Sequence, residues 1–170
     1  MNSESVLIGK SVLAVDDEPD ILEIIKEQLD GCIVHTALDH DTALQYLQSY
    51  TYDVVILDIM GVNGFALLKS SVSRGFPTLM LTAHALTPEA LKKSISLGAV
   101  FFLPKERIAD LKGYLKEIVS GGGKPIWQRL FERLEGYFNR KFGPDWRERD
   151  QFFKDFEREV LKGAERPSAA

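Results

Sequence analysis

The sequence predicts an α/β fold, a (βα)5 doubly wound parallel sheet of five strands followed by a C-terminal α-helical hairpin. Up to residue 120, short apolar runs alternate five times with segments of helical periodicity. Units that alternate in this way build a parallel sheet with helices on both faces. A run of three glycines, residues 121–123, then precedes a segment with an aromatic helical pattern. These observations predict one sheet domain with a short appendage.

Length and composition set the class of protein. A chain of 170 residues with 45% hydrophobic and 27% charged residues is typical of a soluble globular protein of one domain plus an appendage. Its single cysteine, Cys32, excludes a disulfide framework. No apolar run approaches the roughly 20 residues that span a bilayer, and residues 1–5 do not resemble a signal peptide. We therefore expect a cytoplasmic protein without membrane contact.

The first two strand–helix units lie before residue 50. Ser11–Val15 is predicted as a buried strand because it is apolar without polar alternation. Pro19 begins the first helix, where its missing N–H has no cost. Ile33–Thr36 is a short strand, and Asp39 or Asp41 caps the second helix. The inward positions of the two helices are Ile21, Leu22, Ile24, Ile25 and Leu29, then Ala43, Leu44 and Leu47.

The remaining three units follow the same pattern. Apolar strands are predicted over Asp53–Leu57, Pro77–Leu81 and Val100–Leu103. A turn containing glycine leads into the third helix, and Thr87 with Pro88 begins the fourth. The inward positions of the third and fifth helices are Phe65, Leu67 and Leu68, then Ile108, Leu111, Leu115, Ile118 and Val119. Because parallel strands end at the same edge of a sheet, chemistry is expected directly after each strand.

Polar side chains follow four of the five strands. Asp16 and Asp17 follow the first, Asp58 the third, Thr82 the fourth and Lys105 the fifth. An acidic pair before a helix is often only a cap, and an aspartate after a strand is often a turn residue. The joint pattern instead favours a site, because clustered carboxylates repel one another unless a cation joins them. Mg²⁺ is the natural cation for oxygen ligands, and lysine suits a phosphate, so the set indicates phosphoryl transfer.

Residues 10–120 resemble the receiver domain of bacterial two-component response regulators, which has a CheY-like, flavodoxin-like fold. The segments that carry the resemblance are Val15–Glu18, Val55–Asp58, Leu81–Ala83 and Gly98–Lys105. The resemblance implies that Asp58 accepts a phosphoryl group from a histidine kinase or a histidine phosphotransfer protein. It also implies a signalling protein that catalyses only its own phosphorylation and dephosphorylation and is not otherwise an enzyme.

The same resemblance assigns the cofactor Mg²⁺. Asp17 and Asp58 would bind the ion directly, with the backbone carbonyl of Met60 as a third ligand. Asp16 would act largely through water.

The resemblance also assigns the switch. Lys105 would contact the phosphoryl oxygens. Thr82 would move to hydrogen-bond the phosphoryl group. Phe102, the aromatic switch position, would then swing inward; tyrosine is commoner there.

Three features depart from the family pattern or affect its chemistry. Glu106 follows Lys105 where the family usually has proline, often after a cis bond; without proline that bond costs about 2.5–4 kcal/mol, so either it is trans or the loop is strained. The loop Asp58–Gly64 reaches its glycine early and lacks proline, which predicts unusual kinase recognition. Met60 cannot orient an attacking water, which predicts slow self-dephosphorylation, although His84 could oppose this.

The C-terminal segment differs in composition from the rest of the chain. We divide the sequence into a receiver domain (1–120), a glycine-rich flexible linker (121–125), a two-helix extension (126–164) and a disordered tail (165–170). Counting from the sequence, residues 1–123 carry a net charge of −6 and residues 124–170 one of +2, and 9 of the 17 aromatic residues lie in the second part. Asp145, with Glu148 three residues later, predicts the start of the second helix. The stripe of the first helix is Ile126, Trp127, Leu130, Phe131, Leu134, Tyr137 and Phe138.

A hairpin of about 40 residues cannot bury this aromatic surface alone. It must dock on the receiver domain, pair with a second copy or bind another protein. DNA binding through these helices is disfavoured, because basic and acidic residues alternate. We therefore expect a response regulator whose output is protein interaction. An unphosphorylated receiver-like scaffold stays the alternative; an aspartyl-phosphate hydrolase is disfavoured because Met60 lies where its second aspartate would be.

Overall fold

The computed structural model of the chain describes residues 6–161. The sequence-based predictions for residues 1–5, for the end of the extension and for the tail 165–170 lie outside these residues. The five strands are β1 Ser11–Val15, β2 Ile33–Ala37, β3 Val54–Leu57, β4 Thr78–Thr82 and β5 Phe101–Pro104. The helices are α1 Pro19–Gln28, α2 His40–Ser49, α3 Gly64–Ser73, α4 Pro88–Ser96, α5 Leu111–Ser120, α6 Trp127–Phe142 and α7 Gln151–Leu161. No described helix is long and apolar enough to cross a membrane.

All strand pairs are parallel, in the order β2-β1-β3-β4-β5, which confirms the predicted doubly wound sheet. Val15 lies beside Leu57, so β1 and β3 end together. Leu57 lies beside Met80, and β4 continues two residues further to Thr82, which lies beside Pro104 at the end of β5. The chain passes from β1 to β2 on one side and then returns to β3 on the other. Residues directly after β1 and β3 therefore flank the point where the strand order reverses, the usual place for a site in such sheets.

The helix starts follow the sequence signals. The Asp39 carboxylate accepts a hydrogen bond from the Thr42 backbone N–H, and the Thr87 hydroxyl accepts one from that of Ala90. Pro19 stands at the first turn of α1. After β5 the chain first makes a 3₁₀ turn over Lys105–Asp110 and only then enters α5. The fifth helix therefore begins later than the apolar pattern suggested. The 3₁₀ turn before it holds Lys105 at the edge of the sheet.

The triple glycine closes α5 rather than forming a free joint. The Gly123 N–H donates to the Ile118 carbonyl at 2.8 Å and the Gly122 N–H to the Val119 carbonyl at 3.1 Å, the paired bonds of a Schellman motif. Gly122 has φ +73°, which favours glycine. The segment predicted as a flexible linker is thus held by hydrogen bonds.

Helices α6 and α7 form the predicted antiparallel hairpin. The Phe156 ring of α7 lies 6.0 Å from Trp127 and 5.8 Å from Phe131, both in the first half of α6. The predicted start of α7 at Asp145 is wrong, because residues 144–149 form turns and α7 begins at Gln151. The Asp150 carboxylate caps it by accepting from the Phe152 N–H at 2.8 Å.

The hairpin docks on the receiver domain along β5, the edge strand of the sheet. The Ile126 N–H donates to the Val100 carbonyl at 3.0 Å. Ion pairs extend the contact to both flanking helices, Arg133–Glu117 at 2.8 Å on α5 and Lys92–Asp150 at 3.2 Å on α4. The whole predicted stripe of α6 from Trp127 to Phe138 is buried. Of the destinations left open by the sequence, the structure shows docking on the chain's own sheet.

Candidate functional site

Four polar side chains converge at the carboxyl ends of the strands. Asp16 follows β1, Asp58 follows β3, Thr82 ends β4 and Lys105 follows β5. All four are buried, with exposures of 1%, 2%, 0% and 8%, although charged groups seldom lie inside unless they are paired. Asp17, the other predicted ligand, is exposed beside them. The structure therefore brings the predicted residues together at one edge.

Lys105 holds the centre of the group. Its Nζ lies 2.8 Å from Asp16 Oδ2, 3.6 Å from Asp58 Oδ1 and 3.6 Å from Glu18 Oε1. The peptide bond between Lys105 and Glu106 is trans, as are all peptide bonds of the described chain. The ammonium thus reaches both buried aspartates without the cis bond usual before proline.

Burial and mutual repulsion shift the titration of this cluster. Removal from water, together with the charge of Asp16, raises the pKa of Asp58 to about 6. Burial also raises the pKa of Asp16, against the opposing effect of Lys105. Burial alone would lower the pKa of Lys105, but the neighbouring Asp16, Asp58 and Glu18 carboxylates outweigh it and raise that pKa. The single positive charge of Lys105 therefore does not balance the negative charges of the surrounding carboxylates, and the site can bind a further cation.

The donor set fits a hard divalent cation. One oxygen from each of Asp16, Asp17 and Glu18 can lie within 4.8 Å of the others. Asp16 Oδ2 is buried, and its charged neighbour is Lys105 Nζ at 2.8 Å. All candidate ligands are oxygens, which Mg²⁺ prefers. The tight group contains Glu18 rather than Asp58, which lies across from it beside Lys105.

The loop after Asp58 packs closely on the acidic group. A Cβ at Gly61 would lie 2.3 Å from Asp17 Oδ2, and one at Gly64 would lie 2.0 Å from the Asp58 carbonyl oxygen. Asn63 between them adopts a left-handed conformation with φ +53°. The loop thus brings its backbone against two predicted ligands. At Gly64 backbone atoms leave no room for a side chain, and at Gly61 a side chain would have to displace the Asp17 carboxylate. Met60 at its apex is 53% exposed.

The two predicted switch residues are buried. Thr82 Oγ1 accepts a hydrogen bond from the Ala85 N–H at 3.2 Å, which ties the hydroxyl to its own loop. Phe102 is fully buried, and its ring lies 6.2 Å from that of Phe138 in α6. The switch position is therefore covered by the C-terminal hairpin. Its predicted motion stays a prediction.

The sequence-based predictions assign no role to Glu18, whose Oε1 lies 3.6 Å from Lys105 Nζ. His84, which those predictions consider only for its effect on dephosphorylation, has its Nε2 3.7 Å from the same Glu18 oxygen. Glu18 directly follows Asp16 and Asp17 in the sequence, and this position could have indicated that its carboxylate lies at the same edge of the sheet. Glu106 pairs with Lys141 of α6 at 3.1 Å. No signal in the sequence places Lys141 there, because the contact depends on how the hairpin docks.

Comparison with known families shows which family has a sequence pattern that matches this chain. The family model described as the response regulator receiver domain matches residues 12–116. The match includes every predicted site residue and ends before α6.

Individual relatives agree. Two-component response regulator ARR10 of Arabidopsis thaliana is 34% identical over 120 residues, which are 66% of this chain and 22% of that protein. Among solved structures, chemotaxis protein CheY4 of Vibrio cholerae has a TM-score of 0.55 at 31% identity, covering 63% of this chain and 98% of that one. A CheY-like receiver domain protein of Methanospirillum hungatei has a TM-score of 0.56 at 25% identity, covering 64% and 95%. The chain thus spans about a fifth of the length of the plant relative and nearly all of the two solved chains.

Proposed function

Because the chain belongs to the response regulator receiver family, we propose that Asp58 accepts a phosphoryl group from the phosphohistidine of a histidine kinase or histidine phosphotransfer protein. One observation supports this above the others. Asp58 lies buried at the reversal point of the sheet, with Lys105 Nζ 3.6 Å away and the acidic group after β1 beside it. A buried carboxylate with a lysine on one side and metal-binding oxygens on the other is the arrangement that phosphoryl transfer needs.

The proposed reaction uses groups already in place. A carboxylate oxygen of Asp58 attacks phosphorus; the new P–O bond forms as the P–N bond breaks, and its electron pair goes to the imidazole. A pKa of about 6 leaves Asp58 mostly ionised at neutral pH, so no base is needed. Lys105 neutralises charge on the phosphoryl oxygens. Thr82, once released from the Ala85 N–H, donates its hydroxyl hydrogen to the same group.

Mg²⁺ would be held by Asp17, Asp58 and the Met60 carbonyl, with Asp16 acting through water. The proximity of Glu18 to Asp16 and Asp17 adds a fourth carboxylate to this edge. The bound ion would offset the repulsion between carboxylates and the incoming phosphoryl group. We place this chemistry in the cytoplasm and assign the chain no turnover beyond its own phosphorylation and dephosphorylation.

The proposed output is protein interaction through the α6–α7 hairpin, by a downstream partner or a second copy. Two arginines of the hairpin are paired with acids, Arg133 with Glu117 and Arg147 with both Glu135 and Glu157. This pairing reduces the positive charge that the hairpin offers to phosphate backbones, which disfavours nucleic acid as the partner.

The proposal is tested with a small phosphodonor such as acetyl phosphate and Mg²⁺, read by intact mass. We expect a phosphoryl adduct that is lost in Asp58→Ala and retained in Asp41→Ala, a matched control at an almost fully exposed aspartate. Addition of a chelator should abolish adduct formation. If the wild-type protein forms no adduct and does not bind a beryllium fluoride mimic, the unphosphorylated scaffold is the better description.

A further inference from the structure

Two contacts join the end of β5 to the second half of α6. The Phe102 ring packs against Phe138 at 6.2 Å, and the Glu106 carboxylate lies 3.1 Å from Lys141 Nζ. Phe138 and Lys141 are one helical turn apart and so share a face of α6. Phe102 and Glu106 lie on either side of Lys105 in the sequence. The segment that carries the site lysine is therefore attached to the hairpin at two points.

The contact continues through packed rings into α7. The ring of Phe138 lies 5.2 Å from Phe142 and 6.0 Å from Trp146, and Trp146 lies 5.0 Å from Phe153. Phe138, Trp146 and Phe153 are each at most 2% exposed. Close-packed rings of this kind do not deform continuously, so a shift at Phe102 must be passed on or must open the packing.

A phosphoryl group on Asp58 would disturb this segment at its centre. Lys105 now lies closer to Asp16 than to Asp58, at 2.8 Å against 3.6 Å. A dianionic group on Asp58 attracts the ammonium more strongly than the carboxylate that it replaces. The Lys105 side chain is only 7% exposed, so it has little free space in which to change partner by rotation alone, and we infer that the backbone between Phe102 and Glu106 shifts with it. The Phe102–Phe138 and Glu106–Lys141 contacts both depend on the present position of this backbone segment.

Taking phosphorylation of Asp58 as given, we propose that the second half of α6 and the corner after it, residues 138–150, report the state of Asp58. Phosphorylation loosens this part of the hairpin from β5 and exposes Phe138, which is fully buried in the present packing. Linkage is reciprocal, so weakening the same contact favours phosphorylation.

The first half of α6 stays attached. Trp127 stacks on Phe101 at 6.1 Å, and the Ile126 N–H donates to the Val100 carbonyl at 3.0 Å. These contacts lie on the amino-terminal side of β5, away from Lys105. The loosening is therefore a local opening at one end of the hairpin, and the hairpin is not released.

Hydrogen exchange on the full chain tests the opening. The protein is compared before and after treatment with acetyl phosphate and Mg²⁺, with the phosphorylated fraction read by intact mass. We expect amide exchange to rise several-fold over residues 138–150 and to stay unchanged over 127–134. Lack of an adduct would overturn the proposed function and this inference together. An adduct without a change over 138–150 would overturn the inference alone.

Variants test the reciprocal effect. Phe138→Leu should raise the equilibrium affinity for the beryllium fluoride mimic in the presence of Mg²⁺ on the order of fivefold, at the low end of ordinary allosteric coupling. Phe131→Leu is the matched control, because Phe131 is a buried phenylalanine of the same helix that packs on Phe156 of α7. Lys141→Ala, at a side chain 44% exposed, tests the second contact without disturbing the core and should act in the same direction. Affinities of Phe138→Leu and Lys141→Ala for the mimic equal to that of the control would overturn the proposal.

Discussion

At the scale of single residues, the site is an acidic cluster that the fold holds at a cost. Asp58 is almost fully buried, and its pKa is raised to about 6 by burial and by the charge of Asp16. Lys105 contacts both acids but supplies only one positive charge. A bound cation, or a phosphoryl group in contact with Lys105, would relieve this repulsion between carboxylates. The same repulsion therefore destabilises the free protein and favours binding of these ligands.

This strain predicts how stability depends on pH. The unfolded carboxyl ionises near pH 4, whereas the folded Asp58 ionises near 6. Between these values the folded state keeps a proton that the unfolded state has lost, so stability falls as pH rises and stays lower above pH 6. Without Mg²⁺, Asp58→Asn should therefore be more stable than wild type at pH 8 by about 2–3 kcal/mol, since each pKa unit corresponds to about 1.4 kcal/mol. Urea unfolding from pH 3.5 to 8 measures this.

The advantage of Asp58→Asn should vanish below pH 4 and shrink when Mg²⁺ is added. Asp41→Asn is the control, because its side chain is 97% exposed and should give a flat difference across the same range. A less stable Asp58→Asn variant at pH 8 in chelator would mean that Lys105 outweighs the repulsion.

Met60 predicts the lifetime of the phosphoryl group. Its side chain is half-exposed two residues after Asp58, and a thioether is too weak an acceptor to orient an attacking water. Met60→Asn should therefore lose phosphate faster, on the order of tenfold, which is less than a positioned acid or base contributes. Mass spectrometry of the purified adduct over time gives the rate. Met60→Leu should match wild type, and slower loss from Met60→Asn would refute the role of this position.

At the scale of elements, the loop between β3 and α3 depends on two glycines. Gly64 follows the left-handed Asn63 and would place a Cβ 2.0 Å from the Asp58 backbone oxygen. That neighbour is backbone and cannot move without moving Asp58. The loop geometry is therefore part of the site, because Gly64 lies directly against the backbone of Asp58.

Gly64→Ala should displace the loop and abolish phosphorylation by acetyl phosphate while the sheet stays folded. Gly113 in α5 provides the contrast, since a Cβ there meets nothing within 4 Å. Gly113→Ala should keep full phosphorylation and gain about 0.5–1 kcal/mol from the better helix propensity of alanine. Intact mass and thermal unfolding of both variants decide the point. Normal phosphorylation of Gly64→Ala would show that the loop tolerates the extra atom.

Most elements were predictable from the sequence, and the errors have local causes. The strands β3, β4 and β5 each begin one residue later than the apolar runs, because strand pairing and not hydrophobicity sets the ends. The start of α7 was misplaced because Asp145 and Asp150 both suit a cap, and the carboxylate of Asp150 is the one that accepts the Phe152 N–H. The glycine run was interpreted as flexible, since composition does not reveal the Schellman bonds that order it.

The candidate site was predictable where it depends on topology. Asp16, Asp58, Thr82 and Lys105 follow parallel strands, and parallel strands of one sheet end together. The pairing of Glu106 with Lys141 was not predictable, because it joins two segments whose relation is set by tertiary packing. The sequence pattern thus predicts which residues lie together at the ends of aligned strands. It does not predict which residues of a docked helix contact them.

At the scale of the whole molecule, the hairpin lies outside the matched receiver domain but shares one hydrophobic core with it. Burying one large apolar side chain contributes about 1.5–3 kcal/mol, and allosteric coupling amounts to about 1–3 kcal/mol. The proposed phosphorylation could therefore expose one or two such side chains but not the whole stripe from Trp127 to Phe138. This comparison favours a local opening near Phe138 over release of the hairpin.

The same burial predicts what happens when the hairpin is removed. A chain ending at Gly123 would expose the edge of β5 together with Phe101, Phe102 and Tyr114, all of which are buried in the full chain. An uncovered edge strand beside apolar side chains is a template for self-association. The shortened chain should therefore melt at a lower temperature and form dimers or larger species in a concentration-dependent way. Thermal unfolding and sedimentation velocity of both chains measure the two effects.

Point variants separate loss of burial from loss of the edge cover. Arg133→Ala removes an exposed ion pair with Glu117 but leaves α6 over β5, so it should change stability by less than about 1 kcal/mol and keep the oligomeric state of the full chain. If the shortened chain instead matches the full chain in melting temperature and stays monomeric, the hairpin adds nothing to the receiver domain. In that case the packing of the hairpin on β5 would contribute only to the proposed interaction with a partner protein.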